Sequence, residues 1–414
     1  RVVPSPTAAP TVAAATPVPT PAEQTGQLSA SIDQLTRAVL LNIQQHGWNP
    51  QAQTHGQVVG GLFINWQMDN PNHTNALKQG SDEATAGSHD PQVDLYYLNA
   101  LAEYRALHTQ DHSFDGETQK ALAQVKLDFA DYNLPKGWIY FYLLRSGTLL
   151  HDATLLNDAR TAATNFYNNW YDPGVGLVYN RAHVPGVSNV EHILNCGAAL
   201  IDAGTRWHQS AWIQAGESTI DHTLAIAIDP QYHLFYNNIA VTADRQLQIV
   251  NHQAKPSTQG NSVEALVTAY TLTHRQHYLD VAGQILQAMF SSSLWDQDNG
   301  GLFFALQMDT HTLQGDYKET RGQTLSLIGL YHYNLALSQS GQPQQMLDKQ
   351  QQLIDVLTNH FYQSTYHGFF YRVTPTFQIY RSRPGTGIGL EDFFTTEAMG
   401  TAMDALQQTE FAQI

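Results

Sequence analysis

The sequence predicts an all-α fold, an (α/α)6 toroid in which six helical hairpins, twelve helices in all, form two concentric rings. Three observations support this prediction. Apolar residues recur at helical spacing along most of the 414-residue chain, short aromatic segments return at a nearly constant interval, and alternate helices differ in their apolar surface. Hydrophobic residues make up 42% of the chain, which is enough to form a large core.

Helical periodicity is visible from the first predicted helix onward. Ile32, Leu35, Val39, Leu40 and Ile43 are spaced as expected for one face of a helix. The same periodicity predicts further helices, several of them joined by short turns that make antiparallel neighbours. They lie near residues 93–104, 114–131, 139–149, 153–170, 189–207, 209–226, 258–274, 277–291, 321–339, 344–361 and 391–408.

Short aromatic segments separate every second helix from the next. Leu177, Leu234, Leu302 and Phe369 occupy equivalent places in four of them, 57, 68 and 67 residues apart. A repeat of this length indicates a repeated supersecondary unit, here one helical hairpin. The segments are residues 60–64, 176–179, 233–236, 300–304 and 368–371, with residues 137–140 as a weaker sixth.

The helices alternate between two kinds of surface. Residues 193–200 and 324–330 are apolar or small on nearly every side, which is typical of a buried helix. Their partners, such as residues 152–170 and 346–361, are amphipathic and keep a polar face for solvent. Six buried helices inside six amphipathic ones make a closed toroid, and residues 28–414 are predicted to form a single catalytic domain of this kind.

Composition and charge exclude several classes of function. Lys and Arg number 20 against 36 Asp and Glu, so the net charge is −16, whereas nucleic-acid binding needs a positive surface. No apolar run approaches the roughly 18 residues of a membrane-spanning helix. The single cysteine, Cys196, rules out an internal disulfide and a cysteine metal cluster, and we expect it in the core.

We expect neither a metal nor a cofactor. The 19 histidines show no metal-binding spacing on a helix. Residues 296–300 read DQDNG and have calcium-like oxygen spacing, but the distal Glu of a calcium loop is missing, so a plain turn is the simpler prediction.

The first 27 residues differ from the rest of the chain. Residues 1–25 hold six of the 17 prolines, mixed with Ala, Thr and Val, a composition that favours extended polyproline II and forms no core. We predict a disordered stalk that holds a secreted, monomeric domain off a cell surface, and a tail without function is the alternative. The extracellular or cell-surface location rests on this stalk alone.

Polar residues at the start of the inner helices are the candidates for a functional site. If the aromatic connections all emerge at one end, the inner helices begin there, and their dipoles and unpaired N–H groups face the mouth of the toroid. Acids at helix starts also cap helices without doing chemistry, as Asp90 and Asp94 could around Pro91. The candidates are Asp90, Asp94, Trp138, Tyr140, Asn189, Glu191, His192, Asn261, Glu264, Glu319, Arg321, Gln323, Glu391, Asp392 and Glu397.

Four acids are the predicted catalytic residues: Glu264, Glu397, Glu191 and Asp94. Glu264 and Glu397 stand out because each lies about one turn inside an otherwise apolar helix, where a carboxylate is costly unless it is paired or faces a wet cavity. Cleavage of a glycosidic bond needs two carboxyl groups across the bond, one holding a proton and the other acting as base or nucleophile. For substrate binding we predict Trp138, Tyr140, His192, Asn261, Arg321, Gln323 and Asp392.

This pattern resembles the six-hairpin glycosidase-like, (α/α)6-barrel superfamily over about residues 28–410. Two local motifs are similar to those of the N-acylglucosamine 2-epimerase and cellobiose 2-epimerase group. Residues 294–303 read LWDQDNGGLF and are similar to its Trp-Asp…Gly-Gly turn, and residues 260–264 read GNSVE and are similar to its Gly-His-x-x-Glu motif. By position Glu264 matches the Glu of that motif, whereas Asn261 stands where the group has a catalytic His.

The leading prediction is therefore a secreted glycoside hydrolase that acts on an oligo- or polysaccharide with paired carboxylates in the central cavity. The resemblance to the epimerase group implies a sugar epimerase or isomerase as the first alternative. A non-catalytic glycan-binding surface protein is the second.

Overall fold

The computed structural model of the protein describes residues 30–68, 74–75, 90–182, 184–380 and 393–411. The predicted stalk, residues 1–27, lies outside these ranges, and so do Glu391 and the predicted substrate-binding residue Asp392. The other predicted site residues are all described.

Twelve α-helices make up most of the described chain and follow the predicted periodicity. They are α1 (Ala30–His46), α2 (Pro91–Leu107), α3 (Asp115–Phe129), α4 (Gly137–Leu149), α5 (Ala153–Asn165), α6 (Val190–Arg206), α7 (Ser210–Ala227), α8 (Pro256–Thr273), α9 (Gln276–Ser291), α10 (Thr320–Gln339), α11 (Leu347–Val356) and α12 (Thr396–Phe411). Helices α5 and α11 end earlier than predicted, because the chain widens after each of them into a π-helical turn, Phe166–Trp170 and Leu357–Phe361.

The even-numbered helices form the inner ring. Each packs against the next, from α2 on α4 to α10 on α12, and α12 packs back against α2, so the ring closes. The odd-numbered helices lie outside, where each packs on an inner helix: α3 on α2, α5 on α4, α7 on α6, α9 on α8, α11 on α10 and α1 on α12. This arrangement is the predicted (α/α)6 toroid.

The inner helices are buried because their sequences are apolar on nearly every side. Residues 193–204 of α6 are all buried, and α10 is buried in the same way over residues 322–331. One core cluster runs through both rings, and burial of its apolar surface contributes roughly 25 cal/mol per Å² to folding. Cys196 belongs to this core, where burial raises the pKa of its thiol and keeps it protonated.

Short strands lie in the connections that lead from outer to inner helices. They are β1 (Trp48–Asn49), β2 (Gln53–Thr54), β3 (Gln57–Val58), β4 (Gly61–Leu62), β5 (Asn65–Gln67), β6 (Thr74–Asn75), β7 (Tyr171–Asp172), β8 (Leu177–Val178), β9 (Gly186–Asn189), β10 (Asn238–Val241), β11 (Leu247–Asn251), β12 (Gln253–Ala254), β13 (Ala305–Gln307), β14 (Thr312–Gln314), β15 (Lys318–Glu319), β16 (Tyr362–Gln363), β17 (Gly368–Phe369), β18 (Arg372–Val373) and β19 (Phe393–Thr395). They pair into sheets of two or three antiparallel strands at the end where the inner helices begin.

The aromatic segments form these pairings, with one exception. Strands β4, β8 and β17 coincide with predicted segments, and residues 233–236 and 300–304 each form a single bridge, Phe235 to Ile228 and Leu302 to Trp295. Residues 137–140, the weaker sixth segment, instead form the first turn of α4. Residues 130–136, which connect α3 to α4, contain no strand with which that segment could pair.

The two ends of the described chain meet at this mouth. Strand β19, just before α12, pairs with β5 near the start of the chain, with Phe394 opposite Trp66 and Thr395 opposite Asn65. The backbone N–H of Thr396 donates to the Ile64 carbonyl oxygen at 2.8 Å. The last inner helix is therefore fixed in place by a segment some 330 residues earlier in the sequence.

Candidate active site

A narrow cavity opens inside the inner ring. The space between its walls amounts to about 530 Å³, its open mouth included. All six inner helices contribute to the lining, which is formed by Tyr96, Asn99, Trp138, Phe141, Tyr142, Arg145, Asn195, Asn261, Glu264, Arg321, Leu325, Asp404 and Gln408. Four of the predicted site residues meet here, namely Trp138, Asn261, Glu264 and Arg321.

Three aromatic rings form one wall of the cavity. Tyr96 and Trp138 stack with their centroids 5.1 Å apart and an interplanar angle of 8°. Tyr142 meets both rings edge-on, at 5.4 Å from Tyr96 and 5.6 Å from Trp138. Such packing fixes the ring positions, and the part of the rings that lines the cavity offers an apolar surface with polar hydroxyl and indole N–H groups, of the kind that can pack against a sugar ring.

Glu264 lies in the wall of this cavity, on α8, with 27% of its side chain exposed. Burial and then the negative charge of Asp404 raise the pKa of Glu264 to about 7, although Arg145 acts in the opposite direction. His332 on α10 places its Nδ1 atom 3.4 Å from Oε1 of Glu264. Burial lowers the pKa of His332 to about 4, so the imidazole is neutral where Glu264 gains and loses its proton.

A buried ion cluster lies next to Glu264. Nε of Arg145 is 2.7 Å from Oε1 of Glu103, and its Nη1 atom is 4.0 Å from Oδ1 of Asp404. Asp404 also accepts hydrogen bonds from Tyr142 Oη at 2.5 Å and from Asn99 Nδ2 at 3.3 Å. Arg145 thus lies within salt-bridge distance of two carboxyl groups, those of Glu103 and Asp404. Among the described residues, no Arg or Lys side chain lies within salt-bridge distance of Glu264.

Arg321 joins two further acids near the mouth. Its Nη2 atom is 3.1 Å from Oε1 of Glu191, and its Nε atom is 3.9 Å from Oε1 of Glu397. Burial acts to raise the pKa of Glu191, but Arg321 together with His192, Asn261 and Lys255 outweighs burial and lowers that pKa, so Glu191 is ionised at neutral pH. Glu397 and Glu191 are both almost fully buried.

Glu191 and Glu264 lie on neighbouring inner helices, with Glu264 in the cavity lining and Glu191 outside it. Asn195, one turn after Glu191 on α6, donates from Nδ2 to the carbonyl oxygen of Asn261 at 3.4 Å. Asn261 in turn lies three residues before Glu264 on α8. Glu264 therefore lies about one helical turn beyond the hydrogen bond that Asn195 of α6 makes to Asn261 of α8.

Besides Glu191 and Glu397, four further predicted residues lie outside the cavity lining. Asp94 is buried and accepts a hydrogen bond at 2.8 Å from the backbone N–H of Leu62, which ties β4 to α2, and burial raises the pKa of Asp94. The hydroxyl of Tyr140 donates to Asp202. Gln323 bonds both the N–H and the carbonyl oxygen of Leu302. His192 is partly buried, with Nε2 3.9 Å from Oε1 of Glu191.

Two of the remaining acids at helix starts have local partners. Asp90 caps α2 by accepting a hydrogen bond from the N–H of Gln92, which is the capping alternative considered for it. Glu319 pairs with Arg372 at 3.1 Å.

The sequence did not point to the deeper cavity residues. Tyr96, Asn99, Arg145, Asp404 and Gln408 lie one to four turns inside inner helices, beyond the helix starts that carry the predicted candidates. A usable signal was present. Asn99 with Glu103, and Asp404 with Gln408, are polar pairs four residues apart in inner helices, a spacing that places both members of each pair on one face.

Many of the histidines occupy turn positions with positive φ. In the described ranges, ten residues other than glycine have positive φ, and seven of them are histidines, all in turns: His55, His151, His208, His233, His274, His311 and His367. No three His, Cys, Asp or Glu side chains converge as metal ligands within the described part of the chain. In the DQDNG turn, Asp296 binds the ammonium of Lys318 at 2.8 Å, where a calcium ion would need its oxygens.

None of the described helices is long and apolar enough to cross a membrane. No protein-family model matches the chain, and no curated protein sequence matches it.

Solved structures do resemble it. One is an unsaturated glucuronyl hydrolase specific for heparin, with a TM-score of 0.66 and 12% identity over 93% of this chain and 98% of the other. A family 76 glycoside hydrolase from a bovine Bacteroides thetaiotaomicron strain has a TM-score of 0.63 and 9% sequence identity, over 93% of this chain and 79% of the other. A D-mannose isomerase has a TM-score of 0.60 and 12% sequence identity, over 92% of this chain and 98% of the other. The chain therefore has the six-hairpin, (α/α)6 fold that these structures share.

Proposed function

We propose that this protein is a carbohydrate-active enzyme that hydrolyses a glycosidic bond. In this proposal Glu264 is the general acid and Glu191 is the carboxylate that acts as base or nucleophile. The supporting observation is that the surroundings drive the pKa values of these two acids apart, upward to about 7 for Glu264 and downward for Glu191. Two carboxyl groups with opposite protonation states are what acid–base cleavage of an acetal requires.

The other cavity residues fit this role. Trp138 and Tyr96 supply a stacked aromatic surface for a sugar ring, and Asn261 and Asn195 supply amides for hydroxyl groups. Arg321 holds Glu191 in its ionised form and orients it. The solved structures with this fold include glycoside hydrolases, which directs the choice of first substrates.

The test replaces Glu264 and Glu191 singly by Gln and measures the release of reducing ends. The panel contains α-1,6-linked mannooligosaccharides, unsaturated glucuronyl oligosaccharides and common plant and bacterial polysaccharides. Each variant is expected to lose about 10²-fold or more of the activity. Asp348→Asn, an exposed acid on α11, is the matched control and should retain full activity. Full activity in either glutamine variant would refute the assignment of that residue.

Sugar isomerisation or epimerisation is the second candidate. The observation in its favour is the contact of neutral His332 with Glu264, because proton transfer beside a carbonyl needs a base and an acid at close range. Incubation with D-mannose in deuterated water distinguishes the two reactions. Carbon-bound deuterium in the recovered sugar would support isomerisation, and its absence would leave hydrolysis as the better proposal.

A non-catalytic glycan-binding protein is the third candidate. Glu191, Glu397, Glu103 and Asp404 all have arginine partners, as expected if these acids serve structure instead of turnover. Binding of an oligosaccharide from the panel without any turnover would favour this candidate. We further propose that the protein acts outside the cell, which detection of the native protein in the culture supernatant would test.

A further inference from the structure

A second concave surface lies on the outer wall of the toroid, along α9. It is a groove of about 1670 Å³, its open side included, and among the described residues it shares no lining residue with the cavity of the inner ring. Residues of α9 from Gln276 to Ser291 line it at helical spacing. They form one continuous face of that helix, about 22 Å long.

The groove exists because the neighbouring outer helix is short. Helix α11 begins only at Leu347, and residues 340–346 before it are not helical. This face of α9 is therefore left open to solvent. Gln342 and Gln345 from that connection border the groove at one end, and residues 231–233, which follow α7, border it at the other.

Six glutamines line the groove, and their side-chain amides are its main polar groups. Gln276 donates from Nε2 to Oδ1 of Asp280 at 3.0 Å. The other five are exposed, and their side-chain amides make no hydrogen bond to the described part of the protein, so a ligand can use both their donors and their acceptors. These five are Gln231, Gln284, Gln287, Gln342 and Gln345.

A nearly buried tyrosine supplies a fixed polar group at the floor of the groove. Tyr333 on α10 is only 5% exposed, and it lines the groove beside Gly283 of α9. A Cβ atom added to Gly283 would lie 2.5 Å from the Tyr333 hydroxyl oxygen, so the glycine leaves room for this hydroxyl. The hydroxyl makes no hydrogen bond to the residues that the structure describes. A hydroxyl held in this way gains a partner when a polar ligand fills the groove.

The chemistry of the lining selects the class of ligand. Its charged and titratable groups other than Tyr are Asp280 and His233, and among the described residues neither Lys nor Arg lines it, so it does not favour phosphates, sulfates or carboxylates. Leu279 and Leu337 are almost fully buried and offer little surface to a lipid or an amphipathic helix. A row of amides that both donate and accept matches the hydroxyl groups of a neutral sugar chain.

We propose that this groove is a second glycan-binding site, which holds a neutral polysaccharide chain along α9, outside the cavity of the inner ring. Its ligand is an extended, uncharged, hydroxyl-rich chain, and its role is to keep the protein on that polymer. The proposal goes beyond the hydrolysis proposed above and does not depend on it, because none of the residues of the groove belongs to the cavity.

The experiment is affinity electrophoresis in native gels that contain α-mannan, dextran or β-glucan, with heparin and gelatin as contrasting polymers. All proteins carry Glu264→Gln, so that the polymer is not cleaved during the run. We expect a neutral polysaccharide to retard the parent protein, and Gln284→Ala with Gln287→Ala to weaken this binding about tenfold. Gln119→Ala with Gln214→Ala, which replaces two exposed glutamines on α3 and α7, is the matched control and should bind like the parent.

Tyr333→Phe removes only the floor hydroxyl and should weaken binding about threefold or more. The proposal is overturned if no neutral polysaccharide retards the parent, if the parent and the groove variant are retarded equally, or if only heparin or gelatin binds. The groove substitutions are also made without Glu264→Gln and assayed for reducing-end release from short oligosaccharides, where the wild-type rate is expected. If the wild type releases none, the hydrolysis proposal fails, and the gels still decide on the groove.

Discussion

Gly260 on α8 lies directly against Gly329 on α10. A Cβ atom added to Gly329 would lie 2.5 Å from the carbonyl oxygen of Gly260, and one added to Gly260 would lie 2.3 Å from the carbonyl oxygen of Leu325. The two inner helices touch backbone to backbone at this point. Because α8 carries Glu264 and α10 carries His332, this close approach helps to bring the two side chains within 3.4 Å.

Replacing Gly260 by Ala should destabilise the protein substantially. The added methyl group meets rigid backbone, so α8 and α10 must separate, and we expect a loss of about 2–3 kcal/mol in urea denaturation. Gly116→Ala is the matched control, since nothing lies within 4 Å of its added Cβ on α3. The control should be neutral or stabilising by up to about 1 kcal/mol. Equal stability of the two variants would contradict this account of the helix contact.

Lys318 is predicted to be essential for the turn at residues 296–300. Its side chain is fully buried and donates to the carbonyl oxygens of Gly300 and Pro375 and to Asp296. Lys318→Met leaves Asp296 buried without its cation, at a cost of about 3 kcal/mol in the free energy of unfolding. Lys349→Met removes a partly exposed ammonium 4.2 Å above the Trp295 ring and should cost about 1 kcal/mol or less. Similar losses of stability in both variants would show that the burial of Lys318 does not make its contribution larger than that of an exposed lysine.

Glu264 should make stability fall as the pH rises. Its pKa in the folded protein, about 7, lies above the ordinary value of 4.5, so the folded state binds the proton more tightly than the unfolded state. This contribution is complete below about pH 4.5 and is lost as the pH passes through 7, amounting to about 3 kcal/mol. Glu264→Gln should remove this pH dependence. Because Gln resembles the protonated carboxyl group, we expect the thermal unfolding curves of wild type and variant to be similar at about pH 5, and the variant to be the more stable protein at about pH 8.

Arg321 should stabilise the protein in the opposite pH range. It lowers the pKa of Glu191, so its contribution is present above the ordinary Glu value of about 4.5 and is lost as the pH falls further. At neutral pH Arg321→Met removes the guanidinium that two buried acids share, and we expect a loss of about 3 kcal/mol in the free energy of unfolding. Adding Glu191→Gln to Arg321→Met should restore part of this loss. If urea denaturation shows no recovery in the double variant, the ion pair between Arg321 and Glu191 is not the source of the lost stability.

The sequence predicted the fold well because the toroid is a repeat. Each hairpin adds one apolar and one amphipathic helix, and both kinds of helix can be recognised from the spacing of apolar residues in the sequence. The π-helical turns at Phe166–Trp170 and Leu357–Phe361 escaped prediction because they continue the apolar pattern of the helices before them. Residues 137–140 were misassigned because an aromatic run looks the same in a strand and in the first turn of a buried helix.

The candidate site was predictable only in its outer part. Glu191, Glu264 and Arg321 were found because charged residues interrupt apolar helices near their starts. Arg145 and Asp404 could not be paired from the sequence, since they are more than 250 residues apart and meet only after the ring has closed. His332 was hidden for the same reason, because α8 and α10 must pack before it faces Glu264.

Closure of the ring by α12 has a consequence for biosynthesis. This helix supplies Glu397, Asp404 and Gln408, and strand β19 before it pairs with β5 near the opposite end of the polypeptide. While the ribosome is still making the chain, the eleven helices before α12 can emerge and pair locally, yet the cavity lacks its final wall. The cavity would thus be complete only once α12 has left the exit tunnel, so nascent fragments that lack this helix would not contain the site to which we assign the proposed function.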